Sequence, residues 1–369
     1  MHTMNAHIIA FTFSLLVVLS PALQASDYQG GTPTTIFETL LREDALDITI
    51  ETDLGELINN RRRDDYQPAT MTYKSQNGVS VRHNIEVMPR GKFRRRICDF
   101  PPVKIKFSKK ELTAAGLKKH NNLKLSTHCM DDKEAGNYNV FKEYLAYKLY
   151  NALTPNSFRV QLVRVTYVDA AGQLSKVKRY GFLIEDDEEL AERMGGSLCE
   201  CLNAGSDMVA AYDETMMSVY NYMIGNEDWS LSMVRNIKMV ETAGGSKVLP
   251  IAYDFDFSGL VNASYALPSS DYEQRHIKDR DYLGFEADAA TMQNVLQRLR
   301  EKKSELYRII SDFKLLPAEQ RLEMRDYLES FYQIIQTLPA DSRQLPSWRF
   351  GAAAPVNAGT QGASETTGR

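Results

Sequence analysis

Three oxygen-bearing side chains in the second half of the chain have types and spacing suited to divalent-metal and phosphate chemistry. Asp228 follows an apolar helical segment whose end is marked by Gly225 and Asn226. Asn236 opens one strand, Asp254 closes another, and Gly244 and Gly245 stand between them as a turn. In an antiparallel hairpin with that turn, position 236 lies opposite position 253 or 254, so residues distant in sequence become neighbours. An amide oxygen beside a carboxylate makes a hard-oxygen site for Mg²⁺ or Mn²⁺. Asp228 would then be the catalytic acid that orients an attacking hydroxyl, with Asn236 and Asp254 as metal ligands, the arrangement that phosphoryl transfer needs. Asp256 adds a further metal-binding carboxylate just past the apolar run 248–252. Two acids at the end of a buried strand are costly unless paired or metal-bound. Asp and Asn also cap helices and fill turns everywhere, so the functional reading rests on the set and not on Asp228 alone.

Such a site also needs a strand lysine for the nucleotide phosphates and a helix glutamate to hold that lysine. Lys104 and Lys106 alternate with Val103, Ile105 and Phe107 on one strand, and Glu143 lies on the helix that follows. Lysines in that alternation are otherwise simply the solvated face of a strand. Arg90, beside Gly91 and ahead of the basic run 92–96, could reach phosphate with its guanidinium and nearby backbone.

The elements that must position these groups fall in two kinds. Alternating apolar and polar residues predict strands at 48–52, 69–73, 80–87, 103–107 and 123–125, and two more at 160–168 and 177–184 around Gly172. A helix is predicted over 138–153, where Phe141, Leu145, Leu149 and Ala152 form one stripe. From Asp213 the chain turns helical apart from the hairpin 235–240 and 247–253, and long amphipathic helices close it at 289–313 and 317–338. Strands first and helices second describe an α+β fold of two lobes, a strand-rich one over 45–185 and a mainly helical one over 186–345.

Lys+Arg 44 against Asp+Glu 48 gives a net charge of −4, which offers no overall case for a nucleic-acid partner. Residues 1–25 have the form of a secretory signal: a short apolar run over 8–19, then Pro21 and the small residues Ala22 and Ala25. An exported protein, periplasmic or secreted, with no membrane span after signal removal is expected. Residues 26–44 read as a lead segment and 346–369 as a disordered tail. The cysteines at 98, 129, 199 and 201 suit an oxidising compartment. Cys98 with Cys129 is the expected pair, whereas Cys199 and Cys201 stand awkwardly close to bridge each other.

At these residues the chain resembles the CotH family of spore-coat kinases, and more distantly HipA-type and lipid kinases. The likeness is carried by Arg90-Gly91-Lys92 with the basic strand 103–107, by Asn226-Glu227-Asp228, by Asn236-Ile237 and by Tyr253-Asp254-Phe255-Asp256. The resemblance implies a protein-kinase-like fold over roughly residues 45–335. It makes Asp228 the catalytic aspartate, Asn236 and Asp254 the metal ligands, and Lys104 or Lys106 with Glu143 the nucleotide-positioning pair. Glu185 would lie near the interlobe hinge, and ATP would be the phosphoryl donor to a protein hydroxyl. The sequence has no His-Arg-Asp triplet, no Asp-Phe-Gly triplet and no multi-glycine loop. Two other readings use the same residues. Asp254-Phe255-Asp256 could be the DxD element of a sugar-nucleotide transferase, or the chain could be a catalytically inactive kinase-like binding protein of the cell envelope.

Overall fold

The computed structural model describes residues 34–351; the signal-like segment and most of the expected tail lie outside them. The first part carries α1 (Ile36–Leu40), β1 (Leu46–Thr52), α2 (Leu54–Asn59), β2 (Gln67–Lys74), β3 (Ser80–Pro89), α3 (Arg94–Ile97) and β4 (Val103–Phe107). It continues through α4 (Lys109–Ala114), β5 (Asn122–Thr127), α5 (Lys133–Leu153), β6 (Val160–Asp169) and β7 (Val177–Ile184). The second part carries α6 (Asp187–Arg193), β8 (Gly196–Cys199), α7 (Ala211–Ile224), β9 (Ile237–Thr242), β10 (Val248–Ala252), α8 (Ala289–Asp312) and α9 (Ala318–Gln336). Mixed α and β structure, strands before helices, agrees with the sequence.

The strand-rich part is not the plain sheet of a two-lobed kinase layout. Its seven strands close into a barrel in the order β1-β2-β3-β4-β5-β7-β6. The closing pair is parallel, β1 against β6, with Ile48 opposite Val165. Every strand has an apolar face, and closure lets all of those faces share one interior with no edge left over. Ile48, Met71, Val87, Ile105, Leu123, Val165 and Tyr167 fill it. Lys104, Lys106 and Lys124, which alternate with these residues, therefore stand on the outside of the wall.

A second core forms where the outer face of β6 and β7 (Val160, Leu162, Phe182 and Ile184) meets α5, α7, α8 and α9. This core runs across the expected boundary at residue 185. Helix α5 starts at Lys133, ahead of the predicted 138, because the Asp132 carboxylate caps it by accepting from the Ala135 N–H at 2.7 Å. It is buried on more than the predicted stripe: Tyr144, Tyr147 and Tyr150 are enclosed as well. Among the described residues no helix is long and apolar enough to cross a membrane.

Strands β9 and β10 form the predicted hairpin, with Ala252 opposite Ile237, and β8 adds a third strand beside β9 that the sequence pattern did not reveal. Cys98 is bonded to Cys129 as expected. Cys199 is bonded to Cys201, against expectation. The chain bends at Glu200, whose carbonyl accepts from the Leu202 N–H at 2.8 Å, and this brings the two Cα atoms to 5.3 Å.

Candidate functional site

Helix α7 stops at Gly225, which is left-handed at φ 63°; a Cβ there would come within 2.0 Å of the Tyr327 hydroxyl, so no side chain fits. The loop that follows is fixed from inside. The Asn226 carbonyl accepts from the buried Trp229 indole at 3.1 Å, and its side-chain oxygen accepts from the Asp228 N–H at 3.2 Å. Ser230 and Arg235 exchange backbone hydrogen bonds at 3.1 and 3.0 Å, so the segment between Asp228 and Asn236 is a closed loop that returns on itself. Asn236 then donates from Nδ2 to the Asp228 carbonyl at 2.6 Å and to Asp228 Oδ2 at 2.9 Å. That leaves the Asn236 amide oxygen without a protein hydrogen bond among the described residues.

The hairpin register brings Tyr253 to Asn236, N–H to carbonyl at 3.0 Å. Asp254 comes next, its N–H donated to the Tyr147 hydroxyl at 2.8 Å. Asn236 and Asp254 both have left-handed backbones, at φ 52° and 65°, and the β-branched Val234 joins them at 48°. Such residues are strained by about 1–2 kcal/mol each and persist only where the surroundings over-determine them. Asp228, Asn236 and Asp254 line one cleft of about 600 Å³ together with Arg90, Lys92 and Phe257.

Arg94 holds the wall of this cleft. From the single turn α3 it reaches Glu143 with a two-pronged contact at 3.1 and 3.3 Å, Ser126 at 3.0 Å, Asp254, and Asp256 at 3.3 Å. Tyr265 completes Asp256 by donating at 3.1 Å. The cation expected beside Glu143 is thus Arg94, not Lys104 or Lys106. Lys106 lies on the outside of the barrel, 2.7 Å from Glu86 and over the Tyr66 ring, because it alternates with inward Ile105 and Phe107. Lys104 pairs across the wall with Lys124 and makes no side-chain hydrogen bond among the described residues.

Glu185 is fully buried and is consumed by Arg159 and Arg193, at 2.8 Å each, so it serves as an ion-pair node. Asp256 is buried beside Asp254, lines the same cleft, and is already paired with Arg94 at 3.3 Å. Arg90 does line the cleft, and its guanidinium makes no ion pair among the described residues. Lys124 is a partly buried cation near the cleft, over the ring of its lining residue Tyr253, not singled out as a site residue from the sequence. It binds Asp187, which also takes Lys238 at 3.0 Å, and it stacks over Phe158 and Tyr253. Its alternation with Leu123 and Leu125 was visible, but nothing in the sequence placed that stretch against α6 and β9.

The electrostatics separate the carboxylates. Burial pushes Asp228 up to about 6, aided by the charge of Asp254 and opposed by Arg235 and the Asn236 hydrogen bond. Burial also acts to raise Asp254, but Arg94 and Arg90 outweigh it and hold that carboxyl below its ordinary value. Asp256 is pushed up to about 8, by burial first and then by Asp254 and Glu143 against the pull of Arg94. Lys124 is brought down to about 8 by burial, against Asp187.

Glu227, beside the catalytic candidate, is a separate case. It is 1% exposed, neither side-chain oxygen has a hydrogen-bond partner, and burial with Asp281 nearby pushes it up to about 8. A carboxyl whose folded value is raised stabilises the fold at low pH and loses that contribution as pH rises from about 4.5 towards 8. Glu227→Gln should therefore match the natural protein at pH 4. By pH 9 it should be more stable by on the order of 2 kcal/mol, read by urea unfolding across pH. A constant difference at all pH values would refute the assignment.

No protein-family model matches the sequence, and a search of curated proteins finds no match. Among solved structures, the chain is similar to the proinflammatory kinase CtkA of Helicobacter pylori, at 10% identity and a TM-score of 0.35. The match covers 62% of this chain and 89% of that one. So slight a likeness carries no weight for function, which is read below from the site residues.

Proposed function

We propose that this chain is an exported kinase-like phosphotransferase that moves a phosphoryl group from a nucleotide to a protein hydroxyl. The observation that carries the reading is the cleft itself. A half-buried carboxyl, Asp228, with its proton affinity near neutrality, is held by Asn236 within the electrostatic reach of a second carboxyl, Asp254, that stays ionised. A general base works best when its pKa lies near the working pH. Asp228 would accept the proton of the attacking hydroxyl, and Arg90 would hold the donor's phosphates. Lys124 and Lys238, which share Asp187 on the same side, add positive potential there.

The free amide oxygen of Asn236 and the Asp254 oxygen not taken by Arg94 are hard donors that fit Mg²⁺ or Mn²⁺. When bound, such an ion would neutralise phosphate charge. The two disulfides support a reading of the protein as exported to an oxidising compartment, periplasmic or extracellular.

Incubation of the purified protein with γ-labelled ATP and Mn²⁺, beside Asp254→Asn, tests the reading. Label should enter the natural protein or an added acceptor, and Asp254→Asn should need about tenfold more Mn²⁺ for the same rate. Equal labelling by both at every Mn²⁺ concentration would defeat it.

One observation favours a second reading, an inactive kinase-like binding protein: Arg94 already compensates three of the acidic groups near the proposed metal position. A thermal shift with ATP and Mn²⁺ but no transfer to any acceptor would select it. The sugar-nucleotide reading is weaker, since both acids of its DxD element are already held by Arg94 and it gives no role to Asp228 and Asn236 in the same cleft.

A further inference from the structure

Two basic segments far apart in sequence meet beside the cleft. One is Arg61-Arg62-Arg63, just after α2; the other is Lys92 with Arg95 and Arg96, at α3. Arg61 donates to the carbonyls of Ile58 and Arg95, at 2.9 and 3.1 Å. Arg95 donates to the Arg63 carbonyl at 3.1 Å and to Asp64 at 2.6 Å. These bonds lock the two segments together and use up two of the six cations. Arg62, Arg63, Lys92 and Arg96 remain exposed, with no acidic partner among the described residues.

Arg62, Lys92, Arg95 and Arg96 surround a hollow of about 370 Å³, and Lys92 lines the 600 Å³ cleft as well, so the basic hollow opens beside Asp228's cleft. Phe93 and Ile97, each 41% exposed, are apolar residues of the same α3 turn that carries Arg95 and Arg96, and the Phe93 ring is set edge-on to Phe257 in the cleft wall at 5.1 Å. In a chain whose net charge is −4, several unpaired cations gathered at one hollow oppose the overall balance. Their mutual repulsion is relieved only when an anion sits among them.

We propose that this basic hollow docks an acidic segment of the acceptor protein and so selects hydroxyls flanked by Asp or Glu. The inference rests on the phosphotransferase reading for its purpose, but docking itself does not depend on catalysis. Phe93 and Ile97 would contact an apolar residue between the acidic flank and the hydroxyl. Binding through exposed charges is screened within about 8–10 Å at ordinary salt, so the interaction weakens as salt rises.

The test uses the full chain and fluorescein-labelled peptides in which one serine is flanked by glutamates or by lysines, read by fluorescence anisotropy. The glutamate peptide should bind at least ~10-fold more tightly than the lysine peptide. The double variant Arg62→Glu with Arg96→Glu should lose that preference, while Arg308→Glu, on an exposed part of α8, should keep it. Circular dichroism melting of the three proteins shows whether each is folded. Equal binding of both peptides, or unchanged binding in the folded double variant, would overturn the proposal. It is also overturned if a single-stranded oligonucleotide or vesicles containing phosphatidylserine bind more tightly than the peptide and lose binding in the same double variant. Selective peptide binding without phosphoryl transfer would support the docking surface and sink only the catalytic reading.

Discussion

Asp228→Asn is expected to slow phosphoryl transfer by about 10²–10⁴-fold, the range set by loss of a positioned general base. The substituted amide keeps an oxygen for the Asn236 Nδ2 donor, so the melting temperature should change little. The pH profile makes the prediction specific. Transfer needs Asp228 ionised, and burial pushes that carboxyl up to about 6, so the rate should climb with pH through about 6 and then level. Arg235, 3.6 Å from Asp228 Oδ1, is the cation that opposes burial. Arg235→Ala should therefore move the rising limb to higher pH without abolishing transfer at pH 8. If Asp228→Asn retains the natural rate, or if the limb ignores Arg235, the base is some other group.

The second large effect concerns stability. Arg94→Met removes the guanidinium that Glu143, Asp254 and Asp256 share, and leaves buried acids without their cation. Breaking a buried ion pair from one side costs about 3–5 kcal/mol, so urea unfolding at pH 8 should show a loss of that size. The deficit should shrink at pH 5, where carboxyls released from Arg94 can take up protons instead of staying charged. The three acids have oxygens within 4.8 Å of one another, a spacing that a small divalent cation can span. Millimolar Mn²⁺ should accordingly add more stability to Arg94→Met than it adds to the natural protein. A variant as stable as the natural protein at pH 8 would mean that Arg94 does not hold the wall.

Much of this arrangement was legible because it is local. The alternation at 103–107 marked β4 at its observed bounds, since that strand buries one face only, and the apolar run after Gly172 marked β7, which is buried on both faces at its end. The hairpin register followed from its glycine turn, and the end of α7 from Gly225, whose left-handed backbone is a local requirement. The cation of the site was hidden for the opposite reason. Arg94 stands in a run with Arg95 and Arg96, and one short helical turn points it inward and leaves Arg96 outside. Its partners are 49 and 160 residues away, so no nearby residue announces them. Lys104, Lys106 and Lys124 show the same difficulty: all three alternate with apolar neighbours, and only the closing of the barrel decides which part of its outer wall meets α6 and β9. Glu185 was expected near nucleotide because it ends β7, but Arg159 and Arg193, which neutralise it, lie on other elements.

The ring of seven strands has a bearing on how this protein behaves when crowded. A sheet closed on itself has no outermost strand, so the largest β surface in the described residues offers neighbouring molecules no unpaired backbone to extend. The small sheet ordered β10-β9-β8 does have a free side, at β8. That side is only four residues long and ends at a cysteine whose bond to Cys201 turns the chain away, which keeps a second copy from lengthening the ladder there. Chemical reduction of that short bridge should thus be felt first as sticking between molecules at high concentration, before any change in the cleft.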